Sequence, residues 1–386
     1  MKAFTVNFPR QLLCSAGAID ALDEACTRII GQRVLIVTDQ GIVRAGLLQI
    51  VLDVLHRANI DTHVFDRVEA DPAQSIVLEA TTQAVAANVD GVIGLGGGSS
   101  MDVAKLVALL ATGNETLTAI YGVNLVTSQR LPLIQIPTTA GTGSEVTAVS
   151  IISVGDGEKK GVVSAQLVPD LALLDPELTL GLPAMVSATT GVDAMVHAIE
   201  AFTSINPNRN PLSEGFAKEA LALLGANISA AVHDGSNVAV RYNMLLGSML
   251  AGLAFANSPV AAVHALAYPL GGLYHLSHGL TNALVLPYVM RFNQRVCAHQ
   301  YAELAPLVFP ELADISDVNV RSNQFIDELA RLNTALGMKV RLRDYEITES
   351  ALGLLAQEAM KQTRLLVNNP RAVTEADALA IYRAAW

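Results

Sequence analysis

Apolar residues along this chain follow two rhythms, and the change from one to the other falls near Leu182. Before it, short β-branched runs alternate with helical spacing. Arg33-Val34-Leu35-Ile36-Val37-Thr38 reads as a strand, followed by a helix from Gly46 through Leu55. Thr62-His63-Val64-Phe65 reads as a second strand, Ser75 to Ala86 as a second helix, and Gly91-Val92-Ile93-Gly94-Leu95 as a third strand that runs into glycines and another helix. Such alternation predicts a parallel sheet with helices on both faces. After Leu182-Pro183 the strand signals fade. The remainder of the chain reads as helix upon helix, broken at Asn206-Pro207, Asn210-Pro211, Ser258-Pro259 and Asn369-Pro370. The expected organisation is an α/β dinucleotide-binding domain over 1–182 and an all-α domain over 183–386, with no internal repeat.

Within the helical half, one apolar helix carries ionisable groups at a telling spacing. In Thr190-Gly191-Val192-Asp193-Ala194-Met195-Val196-His197, Asp193 and His197 are four residues apart and share a helix face. The segment from Tyr242 to Met290 contains no Asp, Glu, Lys or Arg, yet it holds His264, His275 and His278. Buried polar groups need partners, and one carboxylate with three imidazoles suits a divalent cation that keeps a coordination position open. Spacing does not choose between His275 and His278. Thr190 and Asp193 also fit a capping box, in which the carboxylate only satisfies a helix start.

Composition narrows the function classes. Over 386 residues the chain is 51% hydrophobic and only 16% charged, which predicts extensive interior or subunit interface and a homo-oligomer, a dimer as the first expectation. A net charge of -11 with no Lys/Arg-rich run argues against a nucleic-acid partner. Three scattered cysteines, Cys14, Cys26 and Cys297, suit a reducing compartment, and Met1 to Arg10 lacks the apolar run of a secretory signal, so a cytoplasmic location is expected. Pro259, His264, Pro269 and Asn282 interrupt the charge-free segment, which makes it a set of core helices and not a membrane span.

Three stretches of the first half suit a dinucleotide. Gly94-Leu95-Gly96-Gly97-Gly98-Ser99-Ser100-Met101-Asp102 follows a strand and opens a helix, where backbone N–H groups can hold a pyrophosphate. The same residues also fit a tight turn capped by Ser99 with Asp102. Asp39 ends the first clear strand, where a carboxylate can accept from a ribose diol and repel a 2′-phosphate, favouring NAD over NADP; Asp ahead of Gly41 is also ordinary turn chemistry. Leu133 to Glu145 is a strand entering a loop of small donors.

Taken together, Gly96-Gly97-Gly98-Ser99 with Asp102 and Lys105, Pro137-Thr138-Thr139-Ala140-Gly141-Thr142-Gly143-Ser144-Glu145, Asp175-Pro176, Gly191-Val192-Asp193 with His197, His264 with Pro269-Leu270-Gly271, and His278-Gly279 resemble the iron-containing (group III) alcohol dehydrogenase family across nearly the whole chain. The resemblance implies an α/β domain binding NAD(P) and a helical domain binding the metal, with Fe(II) as the first choice; Zn(II) is the alternative because three imidazoles and a carboxylate also suit it. It casts Asp193, His197, His264 and His278 as ligands, which leaves His275 flanking them. It places Asp39 on the ribose, Gly97, Gly98 and Ser99 on the pyrophosphate, and Thr138, Thr139, Thr147, Lys160 and Leu178 around the rest of the cofactor, with Phe255 as an apolar wall beside the substrate. Tyr268 stands where many relatives have a second histidine, Asp71 where relatives often have Asn, and Val149 where several have a polar or aromatic residue. The proton would leave through Tyr268, a ribose hydroxyl or ordered water.

The implied activity is reversible hydride transfer between NAD and a primary alcohol, diol or hydroxy acid. The rivals within the fold are a glycerol-dehydrogenase-like zinc enzyme, a metal-free reductase and a dehydroquinate-synthase-like lyase. The lyase would need several Lys and Arg for an anionic substrate, and the helical half has few. A non-catalytic NAD-binding protein would be expected to have a broken ligand set.

Overall fold

The computed structural model describes residues 3–155 and 158–386. The strands among them are β1 (Gln11–Cys14), β2 (Arg33–Asp39), β3 (Asp61–Val68), β4 (Gly91–Gly96), β5 (Gly122–Val123), β6 (Leu133–Pro137), β7 (Val149–Val154), β8 (Glu158–Val163) and β9 (Leu171–Leu174). Helices α1 (Leu22–Ile29), α2 (Gln40–Arg44), α3 (Leu47–Arg57), α4 (Gln74–Ala86) and α5 (Gly98–Leu110) are interleaved with them. The later helices are α6 (Ala184–Thr203), α7 (Pro211–His233), α8 (Val238–Asn257), α9 (Ala262–Tyr274), α10 (His278–Val308), α11 (Val318–Ala335), α12 (Leu352–Met360), α13 (Thr363–Leu366) and α14 (Glu375–Ala385). The chain forms two compact units: Asn7–Gly181 with Ser236–Leu245, and Leu182–Gly235 with Leu246–Trp386 and Met1–Val6.

In the α/β unit six strands form an all-parallel sheet in the order β1-β9-β6-β4-β2-β3. Its strands are apolar runs because both faces are covered. Val34 and Ile36 of β2, Ile93 and Leu95 of β4, and Ile134 and Ile136 of β6 pack with α1 and α3. The alternate residues Leu35, Val37, Val92 and Leu133 pack with α4 and α5. Chain order reverses at β2, since β3 lies on one side of it and β4 on the other. Such a reversal leaves a crevice at the carboxyl ends of the strands, the usual place for a ligand in an open α/β sheet.

A second sheet was not foreseen. Strands β7 and β8 pair antiparallel, with Ile152 opposite Lys160, and β5 runs parallel to β8. The polar run Glu158-Lys159-Lys160 that begins β8 carries a turn-like composition, and pairing with β7 makes it a strand, a tertiary override of local preference.

The helical unit buries α6 almost throughout, from Ser187 to Thr203 apart from Thr190. It packs on α7 and α10, and α10 on α9 and α11. The approach of α10 to α6 requires glycine at 279, where a Cβ would meet the Thr189 carbonyl oxygen at 2.3 Å. That contact sets His278 against α6. Among the described residues one helix, α8, is long and apolar enough to cross a membrane, and more than half of its apolar window is buried within the protein.

Candidate active site

Helix α6 begins at Ala184, so Asp193 lies in its middle and the capping-box reading fails. Asp193 and His197 project from successive turns. His264 comes from the first turn of α9 and His278 is the first residue of α10. One donor atom from each of the four lies within 4.8 Å of all the others. His278 Nε2 is 3.8 Å and His264 Nε2 4.0 Å from Asp193 Oδ1. The His197 ring stacks between His264, at a centroid separation of 4.7 Å, and Phe255 of α8, at 4.4 Å. Asp193, His197 and His264 are buried, whereas the His278 side chain is 39% exposed, which marks the open side of the cluster.

Geometry resolves what spacing left open. His275 is the C-cap of α9 with φ 54°, exposed and outside the cluster. Tyr268, one turn beyond His264, turns its ring towards His278 at a centroid separation of 5.9 Å.

Two residues escaped sequence reasoning. Asn282, one turn into α10, is fully buried and donates through Nδ2 to Asp193 Oδ1 at 2.6 Å; the same nitrogen is 3.3 Å from Nε2 of both His264 and His278. Its Oδ1 has no hydrogen-bond partner. Glu200 accepts from His264 Nδ1 at 2.7 Å. Positions 193, 197 and 200 follow one helix face, and a second acid in so apolar a helix was the available signal. Burial would raise the Asp193 carboxyl, but His197, His278, His264 and the Asn282 amide together hold it below the usual carboxylate range. One ionised oxygen donor and three imidazoles converging at this distance fit a divalent cation, and the unpaired Asn282 oxygen fits a polar centre.

The α/β unit brings its own set together at the sheet reversal. Gly96 ends β4 at φ 144°, and a Cβ there would come within 2.9 Å of Ser100 Oγ. Gly97 is the N-cap of α5 and no side chain caps that helix, so its first N–H groups remain available to an anion. The alternative of a turn capped by Ser99 with Asp102 does not hold. Ser99 lies inside the helix, and Asp102 instead accepts from Ser144 Oγ at 2.6 Å and Ile151 N at 2.8 Å.

Asp39 takes the turn role that its place before Gly41 allows. Its Oδ1 caps α2 through Gly41 N and Ile42 N, while Oδ2 accepts from Ser100 Oγ at 3.2 Å, beside the glycine loop. Thr138 and Thr139 follow β6 on the same edge, and both hydroxyls are buried without a partner. Unpaired hydroxyls beside uncapped helix N–H groups fit a phosphate-bearing ligand. Leu178 is buried just after β9; Lys160 lies on β8, its ammonium 5.6 Å from the Tyr121 ring centroid. Thr147 is bonded to Lys105, whose ammonium also reaches Ser144 Oγ at 2.9 Å and the Val149 carbonyl at 2.7 Å. Asp71 sits at φ 52° and pairs with Lys159.

Glu145 stands in the same buried group, and its Oε1 has no partner. Burial pushes its carboxyl from 4.5 up to about 7, with only partial relief from its own backbone N–H and Lys105. A carboxyl whose folded pKa is raised binds a proton the unfolded chain has released, so stability falls as pH rises from 4.5 towards 7 and levels off above. Glu145→Gln should therefore be more stable than the parent by about 3 kcal/mol at pH ~8, and most of this gain should vanish by about pH 4.5. Urea midpoints across that range read it.

Comparison with known proteins agrees with this geometry. Residues 9–176 match the iron-containing alcohol dehydrogenase family, and residues 187–386 match the C-terminal part of the Fe-containing alcohol dehydrogenase family. The chain belongs to the iron-containing alcohol dehydrogenase family. Among the relatives is the long-chain-alcohol dehydrogenase 1 of Geobacillus thermodenitrificans, 39% identical over all of this chain and 98% of that one. A crystal structure of a 1,3-propanediol oxidoreductase superposes with a TM-score of 0.96 at 32% identity, covering the whole of both chains. A sulfoacetaldehyde reductase from Bifidobacterium kashiwanohense, solved in complex with NAD+, superposes at 0.87 and 26% identity, over all of this chain and 99% of that one. An iron-containing alcohol dehydrogenase of this kind is an oxidoreductase, and the parallel sheet with a helical C-terminal half is the family's architecture.

Proposed function

We propose that this protein oxidises a primary alcohol, diol or hydroxy acid to the aldehyde, with NAD as hydride acceptor, and catalyses the reverse reduction. Asp193, His197, His264 and His278 hold the metal, iron(II) first and zinc(II) as the alternative, since three imidazoles and a carboxylate serve both. The observation that carries the reading is the convergence of these four donors within 4.8 Å. A divalent ion held there supplies Lewis acidity that lowers the pKa of an alcohol hydroxyl, and NAD supplies a two-electron acceptor at C4 of its nicotinamide. The balance is alcohol plus NAD+ giving aldehyde, NADH and one proton.

The protein's own groups do the positioning. Asp193 contributes a fixed negative charge to the centre, and Asn282 holds that carboxylate by its Oδ1. Phe255 walls the cluster on its apolar side against His197. Tyr268 is the candidate to hold or pass on the released proton through its hydroxyl. In the α/β unit, Gly97, Gly98 and Ser99 at the start of α5 bind the pyrophosphate. Asp39 binds the ribose, and Thr138, Thr139, Thr147, Lys160 and Leu178 line the rest. This assigns cofactor binding to 1–182 and metal chemistry to 183–386.

A cytoplasmic homodimer completes the reading. The three cysteines are unpaired thiols, two of them buried. The short edge strand β1, with Phe8 and Leu12 exposed nearby, supports self-association. Light scattering after size exclusion reads the oligomer. The activity test loads the purified protein anaerobically with Fe(II) or Zn(II), adds NAD and a panel of short and long alcohols, diols and hydroxy acids, and follows NADH absorbance. A flat trace across all metals and substrates would sink the proposal, whereas activity that survives chelation would favour a metal-free reductase.

A further inference from the structure

Glu200 does two jobs at once with its two oxygens. Oε1 accepts from the backbone N–H of Val263 and Oε2 from Nδ1 of His264, each at 2.7 Å. Val263 lies in the first turn of α9, where N–H groups have no partner within the helix, and α9 has no side-chain cap of its own. A carboxylate there also faces the positive end of the helix dipole. Glu200 therefore fixes the start of α9 and, one residue on, the ring of the histidine that α9 contributes to the centre.

We infer that Glu200 is a positioning residue for the metal. It locks His264 in the tautomer with hydrogen on Nδ1, so that the lone pair of Nε2 points at the shared centre. The inference rests on the metal reading above. Carboxylate partners of metal-bound imidazoles orient the ring and raise its basicity.

The amide replacement Glu200→Gln exposes the requirement. A carboxylate offers two acceptors, whereas a Gln side chain offers one oxygen and one NH2. If the amide oxygen keeps Val263 N–H, the NH2 faces Nδ1, which must then accept, and the hydrogen moves to Nε2 where the metal belongs. If the oxygen keeps Nδ1–H, the NH2 meets Val263 N–H, donor against donor, and the start of α9 shifts. In both arrangements the centre weakens.

The test measures cobalt(II) binding to the full-length protein by chelator competition, together with the visible spectrum of the bound ion and the His264 tautomer from 15N NMR. Glu200→Gln is expected to raise the cobalt Kd by about 10–100-fold and to change the spectrum. Glu200→Asp, which keeps the charge and both acceptors at shorter reach, is expected to fall between Glu200→Gln and the parent. If the parent itself binds neither cobalt nor zinc, the metal reading fails. If the parent binds and Glu200→Gln matches its Kd, spectrum and tautomer, the role given to Glu200 is overturned. Should Glu200→Gln not fold, Glu200→Asp decides: a Kd and spectrum equal to the parent's overturn the inference, and a several-fold rise with an altered spectrum upholds it.

Discussion

Asp193→Ala is expected to leave a folded protein that binds NAD but retains no metal and turns over at least about 10⁴-fold more slowly. Asp193 is the sole anionic donor among the four and anchors the convergence, with His264 Nε2 and His278 Nε2 within 4.0 Å of its Oδ1. Lowering a hydroxyl pKa to about 7, as bound metals do for water, is worth roughly 12 kcal/mol of ionisation free energy, and each 1.36 kcal/mol is tenfold in rate. Losing even half of it gives the expected drop. The lowered pKa of this carboxyl means that its ionised form is favoured in the folded apo protein, so apo thermal stability should fall modestly. Metal content, steady-state kinetics and NAD titration read the three parts. Activity within tenfold of the parent would remove Asp193 from the ligand set.

Lys105→Met should produce the largest loss of stability. Lys105 is fully buried, and its three ammonium hydrogens meet three acceptors, Ser144 Oγ, Thr147 Oγ1 and the Val149 carbonyl, with Asp102 Oδ1 at 3.6 Å. Burial pushes the Lys105 ammonium below its usual range and the Asp102 carboxyl above its own, so each depends on the other for its charge. Removing the cation leaves Asp102 uncompensated, at a cost of about 3–5 kcal/mol. It also removes the bonds that tie Thr147 and Val149 to α5, leaving Ser144 held to α5 by Asp102 alone, so NAD affinity should fall as well. Denaturant unfolding should show the destabilisation in its first transition, and a loss below about 1 kcal/mol would contradict this account.

Much of this was legible from residue order. The runs that became β2, β4 and β6 are apolar at consecutive positions because both faces are buried, and their alternation with helical spacing announced a parallel sheet. Three of the four candidate donors, Asp193, His197 and His264, were also readable, since ionisable groups in apolar surroundings need partners. The choice between His275 and His278 was not readable from spacing. It depends on where α9 ends and on a left-handed residue at its cap, both set by packing. Strand β8 escaped because Glu158, Lys159 and Lys160 carry turn-like composition and become a strand through pairing with β7. Asn282 and Glu200 escaped for a different reason: an amide and an acid acquire meaning only when another helix brings a partner.

All six groups of the proposed metal centre, from Asp193 to Asn282, belong to one compact unit, while the residues proposed for the dinucleotide belong to the other. For an engineer this separates two controls. On the proposed assignments, coenzyme preference is tuned around Asp39 and the ion around α6, α9 and the first turn of α10, two sets that share no residue. Libraries against the two sets can be screened separately and their winners recombined, with additivity as the default for sites that share no partner.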